Sequence, residues 1–168
     1  MYAGNDPLAA AVLEKYHSLA ALIDSHSEKT TASLKDEIVC GPGCDDCCLL
    51  SSVSAVEAQV IMEYTALHKI AALKNDKCPF LNGGLCSIYP ARPVICRTHG
   101  LPVMIDGEAH SCEKNFTGSS DIGPEFILDL DTVNSHLAAV NLAWIKVTGS
   151  GGADGRVFLI DCGFPRQL

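Results

Sequence analysis

The sequence predicts a mainly α protein: three longer helices packed around an irregular, cysteine-rich loop region that carries a short β-hairpin. Three observations lead there. Apolar residues recur at helical spacing in three segments outside the middle of the chain. The stretch 76 to 116 holds Pro79, Gly83-Gly84, Pro90, Pro93, Gly100 and Pro102, which excludes long helices. Eight of the nine cysteines fall between Cys40 and Cys112. The 168 residues suit one domain, 1–168, long enough to bury a core of its own. Aromatics make up only 6% of the chain, so that core is expected to be Leu, Ile, Val and Ala.

The first helix is expected over 5–28, with Asn5 as N-cap and Pro7 in the first turn. Leu8, Val12, Tyr16, Leu19, Leu22 and Ile23 form its apolar stripe. A cysteine loop follows over 36–50, broken by Gly41-Pro42-Gly43. The second helix is expected over 54–74, because Ser54 with Glu57 three residues on makes a capping box. Its stripe is Val56, Val60, Ile61, Tyr64, Leu67 and Ile70. Pro102 to Cys112 reads as a hairpin turning at Asp106-Gly107. The third helix is expected over 131–147, N-capped by Asp131 and stopped by Gly149-Ser-Gly-Gly152. Leu137, Val140, Ala143, Trp144 and Val147 give it a buried face. Residues 156–161 read as one strand.

Composition narrows the function. The formal charge is −8 and no basic patch is visible, which argues against a nucleic-acid partner. No window supplies the ~18 apolar residues of a membrane span. The N-terminus has no basic region ahead of its apolar residues, so it does not read as a signal peptide. The protein is therefore expected in the cytoplasm, where thiols stay reduced. That setting favours metal over disulfides. Oligomeric state is not readable.

The cysteines run Cys40-x3-Cys44-x2-Cys47-Cys48, then Cys78, Cys86, Cys96 and Cys112. Thiolates are strong soft ligands, and eight are twice what one tetrahedral site needs. All eight are candidate metal ligands, with one or two centres and a metal-binding core over 40–112. Glycines around Cys44 permit close backbone approach and leave N–H groups for sulfur. Adjacent side chains in extended chain point to opposite sides. Cys47 and Cys48 therefore serve different centres, or only one of them is a ligand. Two groups of four that separate this pair are the simplest division. Arg92 and Arg97 are candidate cofactor-binding residues, able to reach a cluster's negative charge or an acidic neighbour such as Asp45 or Asp46. His99 is a further candidate ligand. Cys162 lies 50 residues past the others and reads as a buried free thiol.

Other readings of the cysteines fit less well. A disulfide framework lacks a secretory signal. The spacing of Cys40, Cys44 and Cys47 also matches the cluster loop of radical S-adenosylmethionine enzymes. A barrel of that kind needs ~200 residues or more, and no strand–helix alternation follows the loop. A nucleophilic Cys48–His99 pair would need the two to meet.

Taken together, Cys40-x3-Cys44-x2-Cys47-Cys48, Cys78-Pro-Phe-Leu, Gly84-x-Cys86-Ser-Ile-Tyr89, Arg92-Pro93 and Cys96-Arg97 resemble the YkgJ-type cysteine-cluster family. These zinc- or iron-chelating domains are often labelled Fe–S oxidoreductases. The resemblance covers residues 40 to 112 and implies a small cysteine-ligated metal domain without naming a reaction. The cluster is also similar to that of flagellin lysine-N-methylases, but this chain lacks a glycine-rich region suited to S-adenosylmethionine.

The metal is less defined. Only Cys44-x2-Cys47 has zinc-knuckle spacing, and later ligands are scattered at intervals of 8 to 30 residues. Such scatter fits an iron–sulfur cluster or iron slightly better than zinc. The leading expectation is a metal-binding protein acting in electron transfer as an oxidoreductase component, with a redox partner. The alternative is a structural zinc module that binds another protein. An enzyme would need a pocket beside the metal with a titratable group, for which His99, His110 and Glu108 are the candidates.

Overall fold

The computed structural model describes residues 6–118, 122–152 and 154–164. The chain is mainly helical. Helix α1 spans Pro7–Ser33, α2 Ala55–His68, the short α3 Val94–Thr98 and α4 Leu130–Thr148. Among the described residues, no helix is long and apolar enough to cross a membrane.

The cap of helix α1 falls one residue later than expected, and the helix runs to Ser33, past the expected end at 28. Asp6 is its N-cap and accepts from the Leu8 N–H at 2.8 Å; Asn5 lies outside the described residues. The buried stripe is Ala9, Val12, Tyr16, Leu19, Ala20 and Ile23. Leu8 and Leu22, expected inside, are exposed, and the two alanines take their places. These small residues let α4 and α3 pack closely on α1. Trp144 of α4 fills the middle of this first core at 1% exposure, with Val94, Val103, Leu128, Leu130 and Val133 around it.

Helix α2 carries the expected capping box. The Ser54 N–H and hydroxyl both donate to Glu57 Oε2, at 3.0 and 2.7 Å. The other oxygen, Oε1, accepts from the Val94 N–H at 2.8 Å. One buried carboxylate thus serves the first turns of two helices, α2 and α3. The helix stops at His68, short of residue 74, because Lys69 turns left-handed (φ 55°). Leu67 is therefore exposed. Glu57→Ala would strand three buried donors, so it is expected to cost about 3 kcal/mol or more, read as a lowered midpoint in denaturant unfolding.

Three small sheets complete the fold. Strand β1 (Ser52–Ser54) pairs antiparallel with β7 (Arg156–Phe158), bringing Val53 opposite Val157. The expected strand over 156–161 ends there and turns into a 3-10 helix, Leu159–Cys162. Strands β2 (Leu81–Asn82) and β3 (Leu85–Cys86) form a tight hairpin through Gly83 and Gly84, both at positive φ. Strands β4 (Val103–Ile105) and β5 (Glu108–His110) make the expected hairpin at Asp106-Gly107. Strand β6 (Leu128–Asp129) adds to β4 in parallel. Asp129, not Asp131, caps α4, accepting from the Thr132 N–H at 3.0 Å. Asp131 accepts from the Asp106 N–H in the hairpin turn instead, at 2.7 Å. A second core, with Val53, Ala58, Ile61, Phe80, Ile88 and Leu159, lies between α2 and the C-terminal 3-10 helix.

Candidate metal centre

All nine cysteines are free thiols. Eight of them lie on the first cysteine loop, before and on the β2–β3 hairpin, on α3 and just past β5, and the thiols that act on one another form two neighbourhoods that overlap at Cys47.

The first neighbourhood contains Cys48, Cys78, Cys86 and Cys96. The Cys78 N–H donates to the Cys48 carbonyl at 2.8 Å and ties the two loops together. Burial, followed by the thiols of Cys78, Cys86, Cys48 and then Cys47, pushes the Cys96 thiol up to about 12. Burial also raises Cys48, with Cys78 and Cys86 as the next contributors. Cys78 and Cys86 are raised by burial but receive backbone N–H groups: Phe80 and Leu81 at Cys78, Ile88 at Cys86. Such N–H···S donors stabilise a thiolate and fix its direction. The Pro79 turn and the β3 exit thus aim amides at sulfur. Cys78 and Cys86 also pack against the second hydrophobic core.

The second neighbourhood contains Cys40, Cys44 and Cys112, with Cys47 at its edge. Burial raises the Cys40 thiol; the neighbouring Cys112 and Cys44 raise it further, and Asn115 opposes them. Asn115 Nδ2 lies 3.5 Å from Cys40 Sγ, and its Oδ1 accepts from the Val39 and Cys40 N–H groups. Gly100 (φ 88°) comes so close that a Cβ there would meet Cys40 Sγ at 3.0 Å. Cys47 is exposed, and burial, Cys48 and Cys44 act on its thiol, all three raising it. Cys40, Cys44, Cys47 and Cys112 all line one cavity of about 350 Å³. His99 and His110 line it too, while Glu108 is exposed on β5.

Among the described residues, no three His, Cys, Asp or Glu side chains are drawn into a closed ligand set. The donor chemistry still fits a thiolate-held ion. Each neighbourhood offers several thiols from separate loops, and three amides are already directed at sulfur in the first.

Residues 39–114 match the family model named CxxCxxCC, described as a putative zinc- or iron-chelating domain. The match takes in the whole cysteine-rich middle of the chain, from before Cys40 to past Cys112. No curated protein and no solved structure matches the chain. The family suggested by the cysteine spacing is thus the one found, although here the first interval is three residues rather than two.

The arginines of the cysteine-rich region are not placed against Asp45 or Asp46. Both converge on Asp24 of α1. Arg92 Nη2 lies 2.9 Å from Asp24 Oδ1, and Arg97 Nη1 pairs with Oδ2. Arg97 is buried and also donates to the Pro90 carbonyl at 3.1 Å. Arg92 stacks on the Tyr89 ring at 4.0 Å and favours the Cys86 thiolate through its charge. Asp45 and Asp46 pair with Lys77 and Lys114 instead. The arginine pair fastens α3, and so Cys96, to α1. Sequence reasoning missed Asn115, just past the last cysteine; an asparagine three residues after a cysteine carries no distinctive pattern.

Cys162 is fully buried in the second core, where burial pushes its thiol up to about 12. It is expected to resist alkylation at pH 8 in the folded protein, and Cys162→Ser is expected to leave metal content unchanged. Mass spectrometry of alkylated protein and metal analysis check both outcomes.

Proposed function

We propose that the cysteine-rich region holds two thiolate-ligated metal centres. Cys48, Cys78, Cys86 and Cys96 form a half-buried centre beside the second core; Cys40, Cys44, Cys47 and Cys112 form one that lines the cavity. The different surroundings of neighbouring Cys47 and Cys48 carry this reading. Cys48 has the thiols of Cys78 and Cys86 near it as well as that of Cys47, whereas Cys47 lines the cavity with Cys40, Cys44 and Cys112. The scatter of the ligands over separate loops supports iron or an iron–sulfur cluster, with electron transfer as the role. Metal and acid-labile sulfide analysis of anaerobically purified protein tests this. Iron with sulfide supports the electron-transfer reading; two zinc ions in a colourless protein reject it; no bound metal rejects both centres.

One observation favours a second reading, a structural zinc module that docks on another protein. A groove of about 580 Å³ runs beside Cys48 and Cys78, its apolar side made by Leu49, Leu50, Leu73, Pro79, Phe158 and Ile160 and its polar side by Ser51 and residues 74–77. Leu49 and Phe158 are 66% and 64% exposed there, an apolar surface of the kind a partner would cover.

A further inference from the structure

We propose that the centre formed by Cys40, Cys44, Cys47 and Cys112 is an open one, whose cavity admits a small neutral apolar molecule bearing one nitrogen donor. The inference rests on the two-centre reading and concerns what only one of the centres can do.

The two sets differ in their surroundings. In the half-buried set, Cys78 and Cys86 pack into a core with Phe80 and Ile88, and none of its four thiols lines the cavity. In the other set, all four cysteines line it. Asn115 and Gly100 pack against the Cys40 sulfur, and Gly100 also lines the cavity. Cys47 is the loosest ligand of this set, being exposed and adjacent to Cys48. An ion held there by Cys40, Cys44 and Cys112, with Cys47 as the exposed fourth thiol, faces the cavity. Three protein ligands with an exchangeable position is the pattern of a reactive metal site, whereas four closed ligands mark a structural one.

The walls select the ligand. Ile95, Leu101, Val103, Ile105 and Leu130 come from α3, the segment after it, β4 and the start of α4, and make the interior apolar. Lys114 on the rim is paired with Asp46, and no arginine is among the described lining residues, so an anion finds no free strong cation. A volume of about 350 Å³ is at the small end of ligand pockets. A neutral nitrogen heterocycle suits both zinc and iron as a donor.

The test uses metal-free full-length protein reloaded with cobalt(II), whose visible spectrum reports its ligands, titrated with imidazole and 4-phenylimidazole. The expected result is uptake of two cobalt ions and a spectral change from about half of them. 4-Phenylimidazole should bind about tenfold more tightly than imidazole or better, because its ring enters the apolar cavity. The change should vanish in Cys112→Ser. It should weaken in Ile95→Trp, a substitution at a position already 37% exposed, which folding tolerates. Two cobalt ions with a spectrum indifferent to both heterocycles overturn this inference while leaving the two centres standing. Failure to take up cobalt overturns both. Equal affinity for the two heterocycles, unaffected by Ile95→Trp, overturns the role of the cavity.

Discussion

Cys86→Ser is expected to remove one of two metal equivalents and to lower stability by several kcal/mol, whereas Cys112→Ser removes the other equivalent at much smaller cost. The asymmetry follows from where each thiol sits. Cys86 leaves β3 into the second core and packs against it, and its sulfur accepts the Ile88 N–H. A serine there offers a poor ligand for a soft site and puts a hydroxyl against apolar neighbours. A structural thiolate site contributes about 10 kcal/mol or more to folding in small zinc domains, comparable to the ~5–15 kcal/mol total stability of a typical domain. Here α1, α2 and α4 bury cores of their own, so only part of that amount is at stake. Cys112 lies past β5 on the rim of the cavity, outside both cores. Metal analysis with denaturant unfolding of the two variants checks the outcome. If either variant alone loses both equivalents, the eight cysteines serve a single centre.

Much of the fold was legible because local rules act alone where the chain is regular. The Ser54–Glu57 box, the Asp106-Gly107 turn and the Gly149 stop are short-range devices, and each is present. The helix ends were less legible. Lys69 ends α2 in a left-handed turn that lysine rarely adopts, so its sequence gives no warning. The cap of α4 slid to Asp129 because β6 delivers the chain to the helix through that residue, while the hairpin recruits Asp131. Both are tertiary effects. At the site, the expectation that Cys47 and Cys48 face opposite ways came from extended-chain geometry, but the chain turns at Cys47 and the two thiols act on each other. Which cysteines gather on each side was not readable, since it depends on how the β2–β3 hairpin and α3 fold back on the first loop. Which acidic neighbour the arginines take was hidden for a similar reason. Their partner, Asp24, lies 68 and 73 residues away on α1, and nothing in the intervening sequence joins them.

Asn115 offers the sharpest separation of ligand support from simple packing. It is 3% exposed and bonded on every side. Its Oδ1 accepts from Val39 and Cys40, at 2.9 and 3.3 Å, while Nδ2 donates to the Gly100 carbonyl at 2.7 Å and reaches Cys40 Sγ. One amide therefore holds the first cysteine by both its backbone and its sulfur. Asn115→Leu strands those backbone groups and is expected to cost about 3 kcal/mol, with loss of metal from the centre at Cys40. Asn115→Asp keeps the shape and both acceptor bonds, but sets a carboxylate oxygen against the Gly100 carbonyl and the Cys40 sulfur. Its expected signature is a metal affinity of that centre lowered about 10- to 100-fold, with a smaller loss of stability than in the leucine variant. Competition titration with a chromogenic chelator gives the affinity, and urea unfolding gives the stability. Equal affinities in Asn115→Asp and the unsubstituted protein would mean that the amide braces the loop without supporting the ligand.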